Sequence, residues 1–231
     1  AEPGREKVGW KVPIIVTGAQ DSGLEEKALA LGAADFAGKP HSQKSLFQRV
    51  LRAIKLTTFQ KQEQLLEREA FRDHMTDTLN RRGWDMAVST LRREDLPYAL
   101  YLFDLDNLKQ INDTFGHMEG DRLIEGFSQI LRTHTRDSDI ISRYGGDEFV
   151  VIMKQMGSEE VALRKGEEIC RAFKEAVFSN GTRGRVSVGV TITRGKESME
   201  EVFKRVDEAM YQAKSSHRGH AFCGGTDSDG E

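Results

Sequence analysis

Apolar residues fall along this chain in three successive patterns. In the first, VPIIVTGA (12–19) reads as a buried strand, GLEEKALALGA (23–33) as a helix ended by Gly32, and ADFAGKP (34–40) as a second short strand. SQKSLFQRVLRAI (42–54) then opens another helix. Strand-helix-strand-helix order predicts a parallel sheet, and two strands make only part of one. The second pattern, from about 42 to 72, is a helix-permissive stretch without Pro or Gly, rich in Gln, Glu, Lys and Leu. Leu46, Val50, Ala53 and Ile54 keep helical spacing and Leu65 and Leu66 resume it, while Thr57, Thr58, Lys61 and Gln62 interrupt the seam. Such a helix would run roughly 45 Å and predicts a stalk able to pair with its twin.

The third pattern alternates helices and strands from about 73 to 222. RRGWDMAVSTLRRED (81–95) is predicted helical, YALYLFDLD (98–106) a strand, and EGDRLIEGFSQILRTH (119–134) a helix. RYGGDEFVVIM (143–153) reads as a hairpin, followed by a helix over 158–178, the strand RVSVGVTIT (185–193), a helix over 198–215 and a last strand at HAFC (220–223). YALYLF is apolar on both faces, as a central strand covered by helices requires. The tail GGTDSDGE (224–231) is polar and Gly-rich, which predicts disorder.

Composition narrows the choice of function. The chain has 231 residues, 38% hydrophobic and 31% charged, with a formal charge of −3, so no global basic field favours nucleic acid. Cys170 and Cys223 form no CxxC pair, which suits a reducing cytoplasm. The first ten residues lack a signal peptide's apolar core, and no run is long enough to cross a bilayer.

Two places carry candidate chemistry. Gly145-Gly146-Asp147-Glu148 sits at the turn of the predicted hairpin, and Gly-Gly alone is explained by a turn whose central positions need positive φ, with two solvated acids beside it. The end of the other strand changes that balance, because Asp104 closes a buried apolar run and Asp106 follows two residues later. Carboxylates gathered at adjacent strand ends repel one another unless a cation neutralises them. Magnesium is the natural candidate, since it takes a couple of carboxylates plus substrate phosphates, and paired ions serve phosphoryl chemistry. Gly145 and Gly146 would then let a nucleotide lie against the backbone. Lys109, Lys214 and Arg218 are available for phosphate, the last two four apart and on one helical face if the helix persists. No Walker loop occurs.

RYGGDEF, with FDLDNLKQINDTFGHMEGD upstream and VDEAMYQAK downstream, closely resembles the GGDEF family of diguanylate cyclases over roughly 73–222. The resemblance implies a palm-like α/β (α+β) fold akin to nucleotide cyclases and polymerases. It implies a nucleotidyltransferase that condenses two GTP into cyclic di-GMP, releasing pyrophosphate, at the interface of a homodimer. Asp104, Asp147 and Glu148, with the Leu105 carbonyl, would hold two magnesium ions per half-site, manganese being a substitute. Asp147 or Glu148 would help deprotonate the ribose 3′-hydroxyl. Lys109, Lys214 and Arg218 match triphosphate-binding positions, Gly145 and Gly146 the nucleotide-facing turn, and Asn112 and Asp121 the guanine-reading pair. An ionised carboxylate at Asp121 suits the N1–H and N2–H donors of guanine. Without the resemblance, Asn112 reads as a cap and Asp121 as a first-turn helix acid. RDSD (136–139) matches an inhibitory site for the product, formed by Arg136 and Asp139; a plain salt bridge is the alternative.

The chain departs from the family pattern at Asp77, where glycine is usual, at Thr78, at Leu108 and at His217. These changes are expected to loosen the guanine pocket or reorient Arg218, and none removes a metal ligand. The amino-terminal block resembles the second half of a response-regulator receiver: Thr17 and Lys39 are 22 positions apart, the family's separation between its switch Thr and active-site Lys. Lys39-Pro40 is expected to be cis. The phosphoacceptor aspartate would lie before residue 1, and a chain that began there could not be switched by aspartyl phosphorylation. The expected organisation is a partial, doubly wound receiver-like domain at 1–56, a helical linker at 57–72, a cyclase domain at 73–222 and a disordered tail at 223–231. Two other functions stay open at the level of residues: a non-catalytic GTP or cyclic di-GMP sensor, which would have no need of a full metal set, and a pure dimerisation module, which magnesium-GTP would not stabilise.

Overall fold

The computed structural model describes residues 12–178, 181–216 and 219–224, and the chain divides into two compact units, Ala1–Arg68 and Glu69–Glu231. His217, Arg218 and the tail from 225 lie outside the described residues.

In the first unit β1 (Ile15–Ala19) and β2 (Asp35–Lys39) pair in parallel, with α1 (Ser22–Ala30) between them in the chain and α2 (Gln43–Phe71) after them. Asp21 caps α1 by accepting from the Gly23 N–H at 2.8 Å, and Gly32 turns the chain at φ +92°. The core is small: Phe36, Ala37, Ala28 and Ala53 are buried, and Arg49 donates to both Asp35 carboxylate oxygens at 2.9 Å. Lys39–Pro40 is cis, as read. The helix predicted from 42 and the stalk are one 29-residue helix. Thr57 and Thr58 donate their hydroxyls back to the Ala53 and Ile54 carbonyls at 2.9 Å, which is how these polar residues sit inside it.

The second unit is a five-stranded sheet of spatial order β4-β5-β3-β6-β7: β4 (Ile140–Arg143), β5 (Glu148–Met153), β3 (Tyr98–Leu105), β6 (Val186–Thr193) and β7 (Ala221–Cys223). All pairings are antiparallel except β6 with β7. β3 is central, as its two-sided apolarity predicts. Period-two alternation sends Tyr101, Phe103 and Leu105 to one face, where Phe127 of α5 (His117–His134), Phe173 of α6 (Glu159–Glu175) and Phe149 of β5 join them in one core. Tyr98, Leu100 and Leu102 face the other way, toward Trp84 of α3 (Arg81–Ser89) and Val202, Val206 and Met210 of α7 (Met199–Ser216).

Three sequence expectations are corrected. The helix predicted over 81–95 stops at Ser89, capped by Thr90, and a short 3-10 turn (Arg93–Asp95) follows. A helix unforeseen in the sequence, α4 (Leu108–Phe115), follows the β3 end. Helix α7 is described as far as Ser216, and the expectation that Lys214 and Arg218 share a helical face falls on Arg218, outside the described residues. Cys223, placed in the tail by sequence, closes β7, and the Gly224 N–H donates to the Val190 carbonyl at 2.9 Å.

Candidate active site

Strand alternation puts the acids together. Asp104 lies opposite Glu148 on β5 and opposite Ser187 on β6, so these side chains share the sheet face that α7 covers. Gly189, two residues on from Ser187, decides how closely α7 comes down: a Cβ there would stand 2.4 Å from the backbone of Val206 and Met210. With no side chain in the way, α7 brings Lys214 Nζ to 2.7 Å from Asp104 Oδ2. Asp106, buried directly after the end of β3, accepts from the Ser187 hydroxyl on both oxygens at 3.0 Å. Ser187 Oγ in turn accepts from the Gly219 N–H at 3.1 Å.

The hairpin turn has four residues, 144–147, closed by the Tyr144 N–H donating to the Glu148 carbonyl at 2.9 Å. Neither Gly145 nor Gly146 has a positive φ, so the turn-geometry explanation of the glycine pair fails. Space explains Gly145, where a Cβ would stand 2.7 Å from Glu148 Oε2. A Cβ built on Gly146 would meet nothing within 4 Å, so that side of the turn is open to a ligand. Arg143 holds the turn from below, donating to the Gly146 carbonyl at 2.8 and 3.2 Å and to both oxygens of Asp73 at 3.2 Å. Tyr144 packs edge-on to Trp84 and against Phe203, with the Arg81 guanidinium 4.9 Å from its ring centre. On the far side, the Leu105 N–H donates to the Asp147 carbonyl at 3.1 Å, tying the β3 end to the turn.

This packing has an electrostatic consequence. Burial raises the Asp104 carboxyl above its ordinary range despite Lys214, and the Asp147 and Asp106 charges push it the same way. Glu148 is raised by burial and by Asp104 and Asp147, with Lys214 opposing. Among the described residues no group of three or more acidic, His or Cys side chains is arranged as a preformed metal cage. The donor set nevertheless fits a hard divalent ion that completes its shell with substrate oxygens, because two facing, mutually repelling carboxylates gain most from a cation and need few further protein ligands. Asp104, Glu148 and Asp147 are the residues that would hold it.

The other predicted positions are spread around this centre. Lys109 is exposed on α4, whose first residue follows Asn107 in a left-handed conformation, φ 59°. Asn112 lies on α4 against Gly120 of α5; a Cβ at Gly120 would stand 1.9 Å from Asn112 Oδ1, so this glycine makes room for the amide. Asn112 is not a helix cap, and its buried Oδ1 has no hydrogen-bond partner among the described residues. Asp121 is exposed, one residue after Gly120. Arg136 and Asp139 form no salt bridge: Asp139 accepts from the backbone N–H of Arg136 at 2.8 Å and of Lys154 at 3.1 Å, leaving the Arg136 side chain exposed. The unusual Asp77 takes φ 54°, a conformation that glycine adopts freely and Asp tolerates, and Thr78 is buried with its hydroxyl 2.8 Å from that of Thr76. Leu108 packs against the core.

Sequence reasoning missed Gly189, Gly120, Ser187 and the Asp73–Arg143 pair. The first three act through tertiary contact that periodicity does not encode. Asp73 could have been suspected, as the acid that opens DHMTDTLNR.

Comparison with known proteins bears on the family and the fold. Residues 70–220 match the family described as diguanylate cyclase, GGDEF domain. Diguanylate cyclase DgcM of Escherichia coli K12 is 35% identical over 167 residues, 71% of this chain and 40% of that protein. Response regulator PleD of Caulobacter vibrioides is 34% identical over 225 residues, 90% of this chain and 49% of its own. The chain thus spans less than half the length of these relatives. The GGDEF domain of DgcB from Caulobacter crescentus, solved with c-di-GMP, superposes with a TM-score of 0.62 at 26% identity, covering 68% of this chain and 94% of that one. From its strand-end acids to the match over residues 70–220, the chain belongs to the diguanylate cyclase GGDEF-domain family.

Proposed function

We propose that this chain is a diguanylate cyclase that joins two GTP molecules into cyclic di-GMP with release of two pyrophosphates. The observation that carries the reading is the pairing of Asp104 with Glu148 across β3 and β5, with Lys214 held at the same point by α7. A degenerate nucleotide sensor has no need of that set. Asp104, Asp147, Glu148 and the Leu105 carbonyl would bind magnesium, two ions per half-site, with manganese as a substitute. Bound there, the ions neutralise the triphosphate and stabilise the attacking and leaving oxygens.

The chain's own residues position and move protons. Asn112, whose amide oxygen no protein group among the described residues satisfies, and Asp121 read the guanine edge. Gly146 admits the nucleotide to the turn, and Lys109, Lys214 and Arg218 take triphosphate oxygens. The ribose 3′-oxygen of one GTP attacks the α-phosphorus of the other, the bond from that phosphorus to the β-phosphate oxygen breaks, and pyrophosphate leaves. Glu148 or Asp147 accepts the 3′-hydroxyl proton. Each protomer brings one GTP, so two protomers face each other and proximity is the main catalytic resource. The exposed apolar residues Phe47, Leu51, Ile54 and Leu65 of α2 support pairing of two chains through this helix.

The first unit is the second half of a receiver. Its parallel strand pair, the exposure of Ile14, Leu24 and Leu31, and the extent of the match to PleD support this. Among the described residues no helix is long and apolar enough to cross a membrane, and the cyclase acts in the cytoplasm. Arg136 and Asp139 bind the product as an inhibitor.

Two substitutions test the proposal together. Asp147→Asn and Glu148→Gln should each lower cyclic di-GMP production from magnesium-GTP by about 100-fold or more. The Glu148→Gln melting temperature at pH 7 should not fall, because that carboxyl is raised in the folded chain and its charge opposes folding at neutral pH. Unchanged production in both variants would refute the assignment.

A further inference from the structure

A cavity of about 500 Å³ opens between the C-terminal end of α5, the loop after it and the turn at 72–79. Arg72, Arg132 and Arg136 line it, with Asp77, Asp137 and Asp139 interspersed. Two of the arginines are already oriented: Arg72 Nη1 donates to the Asp77 carbonyl at 2.7 Å and Arg132 Nη2 to the Thr76 carbonyl at 3.0 Å. One donor of the five on each guanidinium is used this way, which anchors two side chains that line the cavity and lowers the entropic cost of binding there. Asp139 braces the loop through backbone N–H groups instead of neutralising Arg136.

The lining itself indicates the ligand. Three arginines are set among three aspartates, so a bare polyphosphate would meet as many carboxylates as guanidinium groups. A guanine nucleotide uses both kinds: its phosphate oxygens, N7 and O6 accept from arginine, and N1–H and N2–H donate to carboxylate. Resting on the cyclase reading above, we infer that Arg72 and Arg132 join Arg136 in holding the phosphodiester groups of the cyclic dinucleotide. The inhibitory site then extends from the RDSD loop to the residue directly after α2. Product binding bridges α5 and the 72–79 turn and orders the segment through which α2 enters the domain.

Titration calorimetry of the full chain with cyclic di-GMP, without GTP, tests this. Arg72→Gln and Arg132→Gln should each weaken binding about tenfold, the size of one charge-assisted phosphate contact, and together roughly 100-fold. Arg132→Lys, which keeps the charge and the stem, should recover part of the loss, and a ligand-free melt of each variant checks that it folds. In the wild type, saturating cyclic di-GMP should slow amide exchange over residues 69–79. Affinities within twofold of wild type in both Gln variants, beside a wild type that makes cyclic di-GMP, would overturn the inference and leave the cyclase reading standing. A wild type that makes none would remove that reading instead. Pyrophosphate binding as tightly as cyclic di-GMP, and lost in the same variants, would overturn the guanine assignment.

Discussion

Arg143 and Asp73 illustrate how much of the site depends on residues that touch no substrate. Burial works against the Asp73 charge, but the N–H and hydroxyl of Thr76 and the Arg143 guanidinium outweigh it and hold the carboxyl below its ordinary value of 3.8. A lowered folded value means that the stability it contributes is fully present above the unfolded value and is lost as pH falls through the folded one. Asp73→Asn should therefore destabilise the chain by roughly 1–3 kcal/mol at pH 7, and the difference from wild type should shrink below about pH 4, read by urea unfolding at both pH values. A difference that stayed constant with pH would mean that shape, not charge, is what Asp73 supplies. At this scale the sequence showed the acids themselves: Asp104, Asp147 and Glu148 stand out at the ends of apolar runs. It did not show why Gly145 is glycine, because a clash with the Glu148 carboxylate exists only once the hairpin has closed.

Among the elements, α7 and β6 set the distance between charge and counter-charge. Gly189 faces the backbone of Val206 and Met210, and backbone does not yield as a flexible side chain does. Gly189→Ala should force α7 outward, cost about 1–3 kcal/mol in overpacking and reduce GTP turnover by moving Lys214 away from Asp104, as measured by thermal unfolding and initial rates on the same preparation. Full activity with normal stability would show that α7 has slack here. Long periodic elements such as α5, α6 and β3 were legible because their apolar spacing persists over many residues. Helix α4 was not: it has eight residues, its Asn107 start makes no capping side-chain bond, and Gly116 ends it and begins α5 in one step. The 81–95 segment misled for the opposite reason, since LRRED continues a helix-compatible composition past the point where Thr90 closes the last turn.

For the molecule as a whole, the order of elements along the chain predicted an α/β protein with an extended helix, and both are present. The spatial order β4-β5-β3-β6-β7, with β7 returning parallel to β6, is set by packing and was not readable from periodicity. Yet it is this order that puts β3 between β5 and β6 and so places Asp104 between Glu148 and Ser187. The central claim is that this strand-end cluster turns two GTP into a cyclic dinucleotide. Incubation of the purified chain with magnesium-GTP, with products identified by mass and pyrophosphate counted, tests it most directly. The account predicts cyclic di-GMP with two pyrophosphates per molecule, formed at a rate that rises faster than linearly with dilute protein. GTP recovered intact, or converted only to GDP and phosphate, would contradict it.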